Sequence, residues 1–174
     1  MNTPLQDMNT NISRRRLLFA GGAALTAGFF WLRGGIQPAN AALAGHFEIT
    51  HSDAEWKARL SEHQYEVLRL GGTERPYTSP MNYEKHKGVF ACAGCALDLF
   101  SSGSKFESGT GWPSFWQPLA NAVGETRDTS YGMERIEVHC RRCGGHLGHV
   151  FNDGPPPTGL RYCINGVALI FKAA

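Results

Sequence analysis

Apolar positions change their spacing three times along this chain. Residues 19–32 are almost continuously apolar but dotted with glycine. From residue 52 to 70 the apolar residues recur at helical spacing, and from residue 88 onward they gather in short runs separated by turn residues. Ser52-Asp53-Ala54-Glu55 has the form of a capping box and Trp56 and Leu60 follow on one face, which predicts a helix over about 53–60. Ser61-Glu62-His63-Gln64 repeats the pattern ahead of Tyr65, Val67 and Leu68, and Gly71-Gly72 should end that second helix. Residues 73–87, with Pro76 and Pro80, have no clear period and read as loop with a turn of helix at most.

The β pattern begins at Gly88. Val89 to Ala91, Leu97 to Phe100, Glu134 to His139 and Leu147 to Phe151 each predict a strand. Residues 160–171 read as one long strand, apolar on both faces. Turn chemistry divides these runs at 101–103, 108–111 and 152–159. The expected architecture is mainly antiparallel β with short N-terminal helices, in a single domain spanning 52–174.

The apolar run at 19–32 is short for a membrane span, and Ser13-Arg14-Arg15-Arg16-Leu17-Leu18 precedes it. That order resembles a twin-arginine export signal, and Ala39-Asn40-Ala41 supplies a small-residue cleavage site, with Ala42-Leu43-Ala44 as a second. Residues 1–41 are therefore expected to be an export signal, 42–51 a linker, and the mature protein periplasmic and free of the membrane. An uncleaved anchor is the competing reading. The leader holds four of the 17 Lys and Arg and one of the 15 Asp and Glu, so the mature chain keeps 13 against 14. A near-neutral surface argues against a nucleic-acid partner.

Cysteine usage sharpens the picture. Cys92-x-x-Cys95 and Cys140-x-x-Cys143 form two knuckles, each suited to give two thiolates to a tetrahedral Zn²⁺, and Cys163 stands alone. A two-residue gap favours metal capture over a strained local disulfide. Export of an already folded chain would let that site form in the reducing cytosol. The 44 residues between the knuckles exceed a zinc ribbon, so the metal is expected to join distant segments of one sheet. His139 beside Cys140 reads as packing, because four thiolates already fill the shell.

If 160–171 is a strand, Arg161, Cys163 and Asn165 share a face. A neighbouring arginine favours the thiolate, the nucleophilic form. Taking 152–159 as a hairpin loop, His149 falls opposite about residue 162, where an imidazole could serve as a proton relay. Asp153 has the parity to orient it. His146 has the opposite parity, so either the strand is irregular there or one of the two histidines is structural. Phe115 and Trp116 read as core, and Trp112, held between Gly111 and Pro113, as a small apolar wall. Two rival readings are a zinc-ribbon interaction module with an inert Cys163, and a thiol–disulfide exchange enzyme working through a knuckle.

Taken together, Gly71 to Pro76, the first knuckle, Ser108-Gly109-Thr110-Gly111-Trp112-Pro113-Ser114-Phe115, Gly144 to Pro157 and Arg161-Tyr162-Cys163-Ile164-Asn165 closely resemble methionine sulfoxide reductase B. The resemblance covers about 52–171. It implies a fold of two antiparallel sheets with short N-terminal helices, reduction of the R epimer of methionine sulfoxide, and one structural zinc; oxidised proteins as substrates, a thioredoxin-like reductant and a monomer are expected with it. It implies Cys163 as nucleophile, His146, His149, Asp153, Arg161 and Asn165 as the polar groups around the sulfoxide, and Trp112 as the wall for the ε-methyl. Two positions depart from the usual pattern. Thr110 stands where many members carry a resolving cysteine, and Gly166 where serine is frequent.

Overall fold

Capping chemistry starts both helices of the computed structural model, which describes residues 47–174. The expected export signal, and the part of the linker before residue 47, lie outside the described residues. Ser52 Oγ accepts from the Glu55 N–H and Glu55 returns the bond to Ser52 N–H, fixing α1 (Asp53–Arg59). Ser61 and Gln64 do the same for α2 (Glu62–Leu70), which Gly71 ends in the left-handed conformation at φ 70°. Trp56, Leu60, Val67 and Leu68 are buried, so each helix is held by its apolar face rather than by its short length. No helix among the described residues is long and apolar enough to cross a membrane.

Nine strands follow in chain order: β1 (Gly88–Cys92), β2 (Asp98–Ser101), β3 (Lys105–Phe106), β4 (Ser114–Phe115), β5 (Val123–Asp128), β6 (Arg135–Cys140), β7 (His146–Phe151), β8 (Arg161–Ile164) and β9 (Leu169–Ala173). They form two antiparallel sheets, one in the order β2-β1-β9 and one in the order β3-β4-β8-β7-β6-β5. Aromatic rings join them. Phe90 on β1 lies 5.1 Å from Phe115 on β4, and Phe100 on β2 stacks on Phe115 at 4.4 Å. All three are fully buried, each contributing about 1.5–3 kcal/mol.

The long strand expected at 160–171 is two strands in two sheets. β8 ends at Ile164 and a 3₁₀ turn over Gly166–Ala168 carries the chain across to β9. Side chains take the backbone bonds that a ladder would have used. Glu74 accepts from the N–H groups of Gly166 and Val167, while Asn165 donates to Leu147 O at 3.0 Å and accepts from Glu74 N–H. The segment looked apolar on both faces because its halves bury different faces. Gly166 also acquires a reason, since a Cβ there would fall 2.0 Å from Ser79 Oγ. Sequence periodicity missed β3, β4 and β5; β5 reads VGETRD and has almost no apolar alternation to detect.

Strand β7 carries one extra residue. Val138 pairs with Gly148 and His139 with His146, so Leu147 has no partner opposite it on β6. The bulge resolves the parity conflict between the two histidines by changing the alternation between residues 146 and 148. Gly148 makes it possible: its φ is 156°, and a Cβ would lie 2.0 Å from the carbonyl oxygen of Cys163. Gly148→Ala must push β7 off β8, and we expect a loss of about 2–4 kcal/mol in denaturant unfolding. A variant of wild-type stability would show that the bulge is not constrained by this contact.

Candidate active site and metal centre

Register aligns the reactive groups in a row running across the strands. Ser114 on β4 pairs with Cys163 on β8, Cys163 with His149 on β7, His149 with Glu137 on β6, and Glu137 with Thr126 on β5. Directly opposed residues project to the same side of a sheet. The expected position of His149, opposite about 162, is thus off by a single residue.

Each imidazole has its own carboxylate. His149 Nε2 lies 2.8 Å from Asp128 Oδ2, and His146 Nδ1 lies 2.7 Å from Glu137 Oε1. The rings stand 5.5 Å apart, edge to face. Asp128 also receives Arg135 at 2.6 Å and the Ser130 N–H at 2.9 Å. Burial works against the charge on Asp128, but these donors outweigh it and hold the carboxyl well below the usual range. Burial likewise opposes ionisation of Glu137, and the His146 bond reverses it, so its carboxyl too sits low. Burial pushes the His149 imidazole below its ordinary value, with Asp128 opposing and Arg135 assisting, which leaves it neutral near pH 7. An ionised carboxylate only accepts, so Nε2 of His149 carries the proton and Nδ1 is the free nitrogen. His146 Nε2 is buried and has no hydrogen-bond partner; with Nδ1 donating to Glu137 it presents an acceptor, the kind of orphan a water or hydroxyl donor would satisfy.

Around the thiol, Thr110 Oγ1 lies 3.9 Å from Cys163 Sγ. Burial raises the Cys163 thiol, while the Thr110 hydroxyl and the Arg161 charge pull it down. Arg161 is held by Asp153 through two bonds of 2.8 and 2.9 Å and lies 4.5 Å over the Phe151 ring. Asp153 was expected to orient His149; it orients Arg161 instead, because it lies in the loop beyond β7 while Asp128 reaches the imidazole. Asn165 sits past the end of β8, and its amide is engaged by Leu147 O and Glu74 N–H, so it braces the turn rather than extending the face of Arg161 and Cys163. Trp112 is fixed by a bond from its indole N–H to Glu74 O at 3.1 Å, two residues before the partner of Cys163. Asp128 and Glu137 escaped the sequence reading. β5 gave no periodic signal, but Glu137 was within reach, since pairing β6 with β7 around the second knuckle brings it opposite His149. A cavity of about 810 Å³ between α2, residues 73–81 and residues 166–169 includes no member of this row.

The four knuckle sulfurs all lie within 4.8 Å of one another, with Cys92–Cys143 at 3.7 Å and Cys95–Cys140 at 3.5 Å. A tetrahedron with metal–sulfur bonds of about 2.3 Å has edges of about 3.8 Å, so the set fits one metal ion. Each knuckle turns back on itself in the same way, Ala96 N–H donating to Cys92 O and Gly144 N–H to Cys140 O. Cys92 ends β1 and Cys140 ends β6, so a metal held here would join the two sheets, rather than two segments of one sheet as expected. The last residues of the expected linker dock here. Ile49 N–H donates to Arg142 O, Glu48 lies 3.6 and 3.8 Å from Arg141 and Arg142, and Phe47 packs on His139. His139 is a packing residue, as expected, lying over Gly124 of β5.

The SelR domain family matches residues 60–173. The chain is 60% identical over 119 residues to a peptide methionine sulfoxide reductase MsrB of Pseudomonas putida, covering 68% of this chain and 90% of that one. It is 58% identical over 125 residues to the protein of that name from Methanosarcina barkeri, covering 71% and 88%. Against the one from Leptospira interrogans it is 52% identical over 128 residues, covering 73% and 98%.

Since a metal held by the four thiolates would tie two sheets, Cys140→Ser should lose the ion and at least about 3 kcal/mol, roughly 10 °C in thermal midpoint. Metal content and calorimetry on the same sample check this. A metal-free variant melting with the wild type would remove the ion from any structural role.

Proposed function

This chain belongs to the SelR-domain family with the MsrB peptide methionine sulfoxide reductases, and from that premise we propose that it reduces the R epimer of methionine sulfoxide through a sulfenic acid on Cys163. The row of Cys163, His149 and Glu137 carries the reading. At neutral pH Cys163 is a half-buried thiol facing a neutral imidazole whose Nδ1 is free. As substrate binds, His149 takes the thiol proton and the sulfur attacks the sulfoxide sulfur. The proton passes to the sulfoxide oxygen, and the hydroxyl so formed moves from the substrate sulfur to the Cys163 sulfur as the bond between the two sulfurs breaks, which releases methionine and leaves Cys163 as a sulfenic acid. Arg161 supports the thiolate as it forms, Asp153 keeps Arg161 in place, and the orphaned His146 Nε2 can accept from a water that donates its other proton to the sulfoxide oxygen. Trp112 walls the ε-methyl. The ion in the four-thiolate site is Zn²⁺ with a full shell, so it holds the sheets and leaves chemistry to the row.

Recycling follows from which thiols remain. Four cysteines face one metal point, and Thr110 occupies the place beside Cys163 where a resolving cysteine would stand. An external thiol of thioredoxin type therefore attacks the sulfenic acid, releasing water and forming a mixed disulfide. A second thiol of the same reductant then displaces Cys163. Epimer-resolved turnover tests the first half: Cys163→Ser should fold normally and lose at least about a thousandfold in rate. One equivalent of substrate followed by a sulfenic-acid trap tests the second, with a Cys163 adduct and retained zinc expected. Substantial activity in the folded serine variant, or a disulfide from Cys163 to a knuckle with zinc loss, would defeat the scheme.

Residues 1–41, on this reading, export the folded domain by the twin-arginine route, and the enzyme repairs methionines in the periplasm. The Arg14-Arg15 pair and the small residues to Ala41 support it. Changing both arginines to lysine should leave the protein in the cytosol on fractionation; unchanged export would point to another route.

A further inference from the structure

We propose that the hydroxyls of Thr110, Ser108 and Ser114 form a reversible relay that sets the ionisation of Cys163. It rests on the reading of Cys163 as the nucleophile and adds a role for three hydroxyl groups that the reading leaves unused. The hydroxyls stand in a continuous line. Thr110 Oγ1 is 3.9 Å from Cys163 Sγ, Ser108 Oγ is 2.8 Å from Thr110 Oγ1, and Ser114 Oγ is 2.8 Å from Ser108 Oγ. The line ends where Ser114 donates to Trp112 O at 3.2 Å. Ser114 is fully buried, so its hydroxyl has little recourse to water, while Ser108 and Thr110 are half-buried.

Each hydroxyl has one proton to give, and that count imposes two states. When Cys163 is a thiol, Ser114 donates to Trp112 O, Ser108 to Ser114 and Thr110 to Ser108. The thiol donates to Thr110, and every proton points away from sulfur. When Cys163 is a thiolate, the order inverts. Thr110 donates to sulfur, Ser108 to Thr110 and Ser114 to Ser108. Inversion gives the anion a donor and loses only the long bond to Trp112 O at the far end. Donors in series polarise one another, which strengthens the bond that reaches the charge. Thr110 touches the reacting sulfur; Ser108 and Ser114 act through it and are positioning residues. The charged and titratable groups facing Cys163 are Arg161 on its own strand, His149 on β7 and Asp153 beyond β7, and they are common to all the variants below.

The relay makes signed predictions for the two ends. Thr110→Val removes the donor, so the pH midpoint of Cys163 alkylation should rise by about one pH unit and the rate at pH 7 fall about tenfold. Thr110→Ser should restore both. Ser114→Ala removes the acceptor that holds Ser108 away from sulfur, leaves the line aimed at Cys163, and should lower the midpoint by about half a pH unit. A merely structural serine would leave the midpoint alone or raise it. The experiment follows iodoacetamide addition to Cys163 by mass spectrometry across pH, in the full-length, metal-loaded protein. An unmoved midpoint in folded Thr110→Val, or a rise in folded Ser114→Ala, overturns the relay; should Ser114→Ala fail to fold, the Thr110 pair decides alone. Alkylation reads ionisation rather than turnover. A relay that behaves as stated in a protein that does not reduce sulfoxides would refute the proposed function and leave the relay standing.

Discussion

Antiparallel pairing brings His149 opposite Cys163 in only one register of β7 against β8, and the same strand must bring Glu137 opposite His149 on its other edge. Side chains alternate with period two, so a slip of one residue would send every member of the row to the other face. The bulge at Leu147 lets one strand satisfy both neighbours while turning His146 toward the same cluster. Gly148 permits the close approach, with the backbone of Cys163 where a side chain would otherwise be. The chemistry at the thiol is therefore downstream of a backbone fit between two strands.

Charge is organised around the row so that no ion stands alone. Arg161 faces Asp153, Arg135 and His149 share Asp128, and His146 meets Glu137. Burying single charges would be costly, and removing one partner would leave the other exposed to that cost. Within this arrangement the two imidazoles differ. One keeps its free nitrogen on the Nδ1 side; the other leaves Nε2 unsatisfied until something polar arrives. Similar residues in one cluster thus present different faces to a ligand, and the difference comes from which ring nitrogen each carboxylate holds.

Much of this was legible in sequence where a local rule had a local cause. Both helices were announced by their capping boxes, and the metal centre by the spacing within each knuckle. The hairpin from 149 to 163 could be counted across its turn residues to within one position. Failures came where the cause was non-local. Residues 160–171 looked like one strand because apolar residues on both faces satisfy either sheet, and only Glu74, bonding from elsewhere, and the amide of Asn165, turned to Leu147 and Glu74, show where the chain crosses over. β5 is polar on both sides, so Asp128 left no periodic trace. The metal was assigned to one sheet because ligand spacing says nothing about which strands the knuckles end. Thr110 was visible only through family resemblance, and its neighbour Ser108 not at all.

Because the row runs across the sheet, each of its members comes from a different strand and no two are close in sequence. That geometry divides the chain into parts that can and cannot change length. The turns joining these strands lie off the row, and past Ser130 and Asp153, over 131–134 and 155–157, an insertion costs only a slowly growing closure entropy. A single residue gained or lost inside β6, β7 or β8 would invert half of the row relative to the rest. Across descendants of such a sequence, insertions and deletions should collect in the turns and spare the strands, even at strand positions whose side chains are freely exchangeable.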